Sequence, residues 1–116
     1  PAMKADFDKV CAPLIGLSEE FPFEVKVLPE PKVRPKRGGG SDHAYFAING
    51  IPTISFRESD PYGLGFNYRE IWHTERDLYF KVIPEYMNHS TLVTAVIVYG
   101  LSKLDHILPR EGYFKD

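Results

Sequence analysis

Three side-chain types that can do acyl-transfer chemistry stand together in GGGSDHAYF: Ser41, Asp42 and His43, behind Gly38, Gly39 and Gly40. A nucleophilic triad needs a base touching the nucleophile and a third group orienting that base. Neighbouring side chains at a helix start fan out by about 100°, so these three cannot align on one substrate atom. The nucleophile-elbow pattern G-x-S-x-G is also absent, because His43 takes its last position. Thirty residues further on, His73 stands in WHTERD, after a glycine-bearing stretch where a loop can project an imidazole into a cleft. Neutral imidazole is a common zinc ligand, and a carboxylate often holds its second nitrogen. No H-E-x-x-H spacing accompanies it.

The elements that must position these residues are legible in part. Met3, Phe7, Val10, Cys11, Leu14 and Ile15 recur at three- and four-residue steps, which predicts a helical face with a kink or break at Pro13. Phe23, Val25 and Val27 alternate with Glu24, Lys26 and Leu28, so 23–30 reads as a strand. Residues 29–40, with prolines and then glycines, read as a flexible loop. Ser41 reads as the N-cap of a short helix over 42–48, closed by Gly50 after Asn49. The apolar run IPTISF (51–56) reads as a strand buried on both faces, and 57–76 reads as irregular. A long helix is expected over 84–105, with Pro84 in its first turn and Val93, Val96, Ile97, Gly100, Leu101 and Leu104 facing inward. The tail 106–116 is polar and expected to be loose. Helices alternating with two or three strands make the fold class α/β. So small a sheet would leave long unpaired edges, which ordinarily need more sheet or a partner.

Composition sets further bounds. The chain has 116 residues, 43% of them hydrophobic and 14% aromatic, which is enough for one core. A net charge of −2 gives no global attraction to nucleic acid or anionic lipid. The basic stretch Lys32, Arg34, Lys36, Arg37 alternates with prolines and lacks interleaved aromatics, so a solvated loop is expected and no nucleic-acid partner. No run approaches the ~18 apolar residues of a membrane span, and no membrane partner is expected. A single cysteine, Cys11, leaves no intrachain disulfide and no multi-cysteine zinc site. The sequence opens at Pro1 and runs at once into an amphipathic pattern, which reads as a segment of a longer protein.

Ser41-Asp42-His43, Phe46 and Gly50-Ile51-Pro52, followed by His73-Thr74 and Asp77, spell S-D-H-x-x-F-x-x-x-G-I-P and then H-T-x-x-D. The two halves, in this order and at this distance, resemble the C-terminal part of the co-catalytic zinc exopeptidases, among them leucyl aminopeptidases and the glutaminyl cyclases. The resemblance covers most of residues 5–105. It implies the C-terminal part of a three-layer αβα domain, with a small partial sheet and a long final helix. It also implies a parent enzyme that hydrolyses N-terminal peptide bonds with water activated by two zinc ions. Carried across, the last zinc ligand falls on His73, and Asp42 falls on an acidic position behind the metal site. Ser41 and His43 would shape the same wall, Tyr68 and Trp72 would face substrate, and Thr74 and Asp77 would brace the loop. Tyr62 and Phe66 are further candidate pocket walls. Helix capping stands open as the role of Asp42 and of Asp77, and core packing as the role of each aromatic.

The rest of the family pattern is missing. No histidine here begins H-x-D, and Glu19-Glu20 follows no ligand motif and reads as a solvated helix end. A catalytic zinc ordinarily has three protein ligands. The segment alone is therefore expected to retain no zinc and to be inactive, its partners being the N-terminal remainder of the domain and a peptide substrate. Compartment is not readable here, although the resemblance points to periplasmic or secreted parents. Two rival readings stand beside the aminopeptidase: a glutaminyl cyclase-like acyltransferase, and a non-enzymatic accessory domain of the same fold.

Overall fold

The computed structural model describes residues 2–56, 60–65 and 67–115. Its centre is a crossing of two helices far apart in sequence. Helix α1 (Lys4–Cys11) presents Phe7, Val10 and Cys11 to helix α4 (Pro84–Ser102), which answers with Val93 and Ile97. Met3 and Leu14 complete the buried cluster, and Val96, Leu101, Leu104, Leu108 and Tyr113 pack around it. Each large aliphatic or aromatic side chain so buried contributes about 1.5–3 kcal/mol.

Proline sets two of the helix limits. Pro13 has no N–H to continue the α-helical ladder, so α1 closes with the Ala12 N–H donating to Lys9 O and passes into a 3-10 turn, Ala12–Leu14. At the other crossing element, Pro84 occupies the first turn of α4, where no intrahelical donor is required, and Glu85 beside it suits the helix N-terminus. The interruption at Pro13, where the α-helix gives way to the 3-10 turn, and the inward stripe of α4 are as read from the sequence, with α4 ending at Ser102 rather than at 105.

Strand expectations fare differently. Residues 23–30 form no ladder among the described residues. Phe23 and Val25 nevertheless turn toward the core while Glu24 and Lys26 face solvent, so the alternation governs burial without hydrogen-bond pairing. IPTISF likewise forms no ladder among the described residues, and it is not buried on both faces: Ile54 and Phe56 are about half exposed, at 46% and 48%. The strands that do form are two residues each and were not expected. β1 (Lys32–Val33) lies inside the proline-rich stretch, and β2 (Phe114–Lys115) lies inside the tail. They pair in parallel, Lys32 opposite Phe114 and Val33 opposite Lys115. The Lys32 and Arg34 N–H groups donate to Tyr113 O (3.1 Å) and Lys115 O (3.0 Å). The described part of the tail is thus docked rather than loose, and Lys115 Nζ adds a 2.7 Å ion pair to Glu30.

Two short helices complete the order, α2 (His43–Ile48) and α3 (Tyr68–Ile71), with a 3-10 turn at Tyr79–Lys81. Of the stretch expected to be irregular, residues 57–59 and Phe66 lie outside the described residues. The fold is a mixed α/β arrangement with a two-stranded parallel sheet. Its radius of gyration, 16.2 Å, exceeds the ~13 Å typical of a closed domain of this length. Many apolar side chains face solvent, including Tyr79, Phe80, Val98 and Ile107. Among the described residues no helix is long and apolar enough to cross a membrane.

Candidate functional site

His73 follows directly on α3. Asn67, in extended conformation, caps that helix by accepting from the Arg69 N–H at 3.2 Å. Glu70 sits three residues after the cap, so Asn67-x-x-Glu70 has the spacing of a helix-start signal that could have located α3 in the sequence. The helix ends after one turn with the Trp72 N–H donating to Tyr68 O at 2.9 Å. His73 then takes φ +55°, the single positive φ at a non-glycine position among the described residues. Left-handed backbone of this kind costs roughly 1–2 kcal/mol in an L-residue, and it persists where neighbouring contacts dictate it.

Thr74 supplies those contacts. Its N–H donates to Ile71 O at 3.0 Å, and its hydroxyl lies 2.8 Å from Ile71 O and 3.2 Å from Glu70 O. The Arg76 N–H donates to the Thr74 hydroxyl oxygen, and the Asp77 N–H to Thr74 O, both at 3.2 Å. One threonine therefore closes the turn on both sides of His73. The aromatic neighbours add a stack: Tyr68 and Trp72 lie nearly parallel with ring centroids 5.6 Å apart, and the Trp72 and His73 rings are 4.5 Å apart. His73 is exposed and its imidazole makes no hydrogen bond or ion pair with the described residues.

The Ser41-Asp42-His43 wall is built separately. α2 begins one residue later than expected, with Asp42 in the capping position. Asp42 already has helical dihedrals, φ −55° and ψ −36°, and makes no side-chain cap. Side-chain capping normally needs an extended residue there, so the capping role expected of Ser41 is corrected: Ser41 contributes its carbonyl, which accepts from the Ala44 N–H at 3.0 Å. Ser41, Asp42 and His43 are all exposed, while Ala44 and Ala47 face inward. The C-terminal end explains the G-I-P of the motif. The Gly50 N–H donates to Ala47 O at 2.9 Å and the Ile51 N–H to Phe46 O at 3.0 Å. This paired closure needs a left-handed residue between, and Gly50 has φ +73°. Tyr113 then fixes the chain after Pro52: its hydroxyl donates to Thr53 O and accepts from the Thr53 N–H at 3.2 Å.

The structure thus brings Tyr68, Trp72, His73, Thr74 and Asp77 into one braced turn and holds Ser41, Asp42 and His43 on another. α2 and α3 do not pack against each other. Among the described residues no three histidine, cysteine, aspartate or glutamate side chains converge to hold a metal ion. A zinc ion fits His73 as one donor, and a complete centre does not fit the described residues.

Two arrangements escaped the sequence reading. Asp60 accepts from the Leu64 and Gly65 N–H groups at 3.0 and 2.9 Å and from the Tyr86 hydroxyl at 2.5 Å. Tyr62 stacks on Tyr86, and Phe21 sets its ring edge-on to both. Partial burial and then the Asp60 hydrogen bond push the Tyr86 phenol up to about 12. Tyr62 is thereby occupied in packing a loop against α4. Asp-Pro-Tyr-Gly-Leu-Gly carries a turn signal, but nothing local names Tyr86 as its anchor. An open, mostly apolar groove of about 660 Å³ lies beside this cluster, bordered by Ile71, Asp77, Leu78, Ile83, Tyr86 and Val98. It meets the candidate turn at Ile71 and Asp77 and does not include His73. The second arrangement centres on His106.

A family model described as peptidase family M28 matches residues 12–98, a span that contains both motif halves. No curated protein and no solved structure matches the chain.

Proposed function

The chain belongs to peptidase family M28, a family of metallopeptidases that are generally zinc-dependent hydrolases, and from that premise we propose that it is the C-terminal portion of a zinc aminopeptidase. In this reading His73 is one metal ligand, and Asp42 stands behind the metal site. Ser41, His43, Tyr68 and Trp72 contact the peptide, with Thr74 and Asp77 holding the turn. The remaining ligands and the proton-shuttling glutamate lie on residues outside this chain, which completes a three-layer αβα domain. The observation that carries the proposal is the strained, exposed His73, whose imidazole has no hydrogen-bond partner among the described residues and which Thr74 holds beside the Trp72 ring. The expanded dimensions and the exposed apolar surface also suit a chain completed by further structure.

The test uses a longer protein in which this chain follows H-x-D and Glu-Glu motifs. It should bind about two zinc ions and release N-terminal residues from peptides. His73→Ala should abolish turnover and lower zinc content, whereas the 116-residue chain alone should retain no zinc against a chelator. Full activity in the variant would end the assignment, and a longer protein without zinc or hydrolysis would favour an accessory domain. The Trp72–His73 ring contact favours one second reading, a glutaminyl cyclase-like acyl transfer. Turnover of N-terminal glutaminyl peptides against leucyl anilides separates the two.

A further inference from the structure

Two carboxylates from distant parts of the chain meet on one imidazole. His106 lies just beyond α4, with Nε2 3.1 Å from Asp6 Oδ1 on α1 and Nδ1 2.7 Å from Asp105 Oδ1. A neutral imidazole carries a proton on one nitrogen only, so one of these contacts would set a lone pair against a carboxylate. The imidazolium alone donates to both. The geometry therefore selects the charged form. We propose that the His106 imidazolium is a pH-sensitive latch that fastens the segment 103–115 to α1 and so holds Tyr113 on Thr53, in the stretch that follows the Ser41-Asp42-His43 motif.

The two contacts differ in what they can do. Asp105 is the adjacent residue and its side chain is 97% exposed, so it joins nothing to anything else. Asp6 is 18% exposed and sits on a helix one hundred residues away in sequence, so its contact is the one that ties two elements together. The path from His106 onward is held at several further points. Leu108 and Tyr113 pack on the core, and the Ala2 N–H donates to Glu111 O at 3.3 Å. β2 then pairs with β1, and Tyr113 closes on Thr53. Loss of the Asp6 contact would loosen this path at its start.

The charged groups facing the latch are Asp6 and Lys9 from α1 and Asp105 from the segment itself. The Asp105 hydrogen bond, and then that of Asp6, raise the His106 imidazole above its ordinary value, while His106 holds the Asp105 carboxyl low. A histidine raised in the folded state stabilises fully below its unfolded value of ~6.5, and that contribution is lost as pH climbs through the raised folded value. The latch is closed in mild acid and opens toward alkaline pH. No metal ligand or peptide-binding residue takes part, so the inference stands apart from the proposed function.

The test follows the His106 ring by NMR in the 116-residue chain between about pH 5 and pH 9. Amide exchange at Lys32, Arg34 and Thr53, corrected for intrinsic rates, is read from the same samples. His106 should titrate above the ordinary ~6.5, and exchange should accelerate in step with its deprotonation, about tenfold for each unit of elevation that Asp6→Asn removes. His106→Gln should remove that step. Asp6→Asn should remove it too, while Asp105 still keeps the imidazole raised, which separates latching from titration. Titration at or below the ordinary value overturns the proposal, as does an Asp6→Asn chain that keeps the wild-type step.

Discussion

Replacing Gly100 by alanine places a methyl group where α1 and α4 leave no room. A Cβ at that position would lie 2.6 Å from Val10 Cγ1 and 3.3 Å from Val10 Cβ and Cγ2. Carbon atoms in contact prefer about 3.5–4.0 Å, so the helices must part by about 1 Å or Val10 must turn. Val10 is β-branched and 7% exposed, and in a helix such a side chain has one favoured rotamer. Overpacking of this kind costs about 1–3 kcal/mol. Alanine recovers about 1 kcal/mol over glycine in a helix interior, so the net loss is about 1 kcal/mol and the expected fall in Tm about 4 °C. The assay is thermal unfolding followed by circular dichroism, run as a cycle with Val10→Ala. Val10→Ala alone leaves a cavity and costs about 2 kcal/mol. In the double variant the new methyl occupies part of that cavity, so the two changes should couple favourably by about 1 kcal/mol. A Gly100→Ala chain that gains stability, or a cycle additive within about 0.5 kcal/mol, would show that the two helices do not meet at this point.

Gly50→Ala should cost about 1–2 kcal/mol, all of it backbone strain at φ +73°, because the nearest atom to the added Cβ is Arg34 Cζ at 3.6 Å. Gly50→Asn should restore much of the lost Tm, and equal Tm values for alanine and glycine would contradict the left-handed closure of α2. Tyr113→Phe removes one donor and one acceptor from Thr53 and should cost about 1 kcal/mol, with faster amide exchange at Thr53 and unchanged helix content. Unchanged exchange there would mean that Tyr113 does not anchor the stretch.

Helices were the legible part of this fold. Apolar residues at three- and four-residue steps locate α1 and α4 because each helix buries one stripe, and Pro13 and Pro84 act on the backbone beside them whatever the rest of the chain does. Strands were not legible, for a definite reason. Period-two alternation at Phe23 and Val25 reports which face is buried, whereas a ladder needs a neighbour, and the neighbours of β1 are Phe114 and Lys115, chosen by contacts no local pattern encodes. For the candidate turn, exposure of His73 follows from the polar run Thr74-Glu75-Arg76-Asp77 after it and the glycine-bearing stretch upstream. Its left-handed backbone does not, because Thr74 enforces it through three-dimensional hydrogen bonds. The pairing of Asp6 with His106 spans nearly the whole chain and leaves no trace in spacing.

The distance in sequence between the two crossing helices also bears on how the chain is made. Phe7, Val10 and Cys11 share their buried cluster with Val93 and Ile97 of α4, more than eighty residues later. At about 5–20 residues per second of synthesis, α1 leaves the ribosome several seconds before α4 exists to cover it. During that interval its apolar stripe is open to chaperones and to other nascent chains, and a burst of translational pausing before Pro84 would lengthen the exposure.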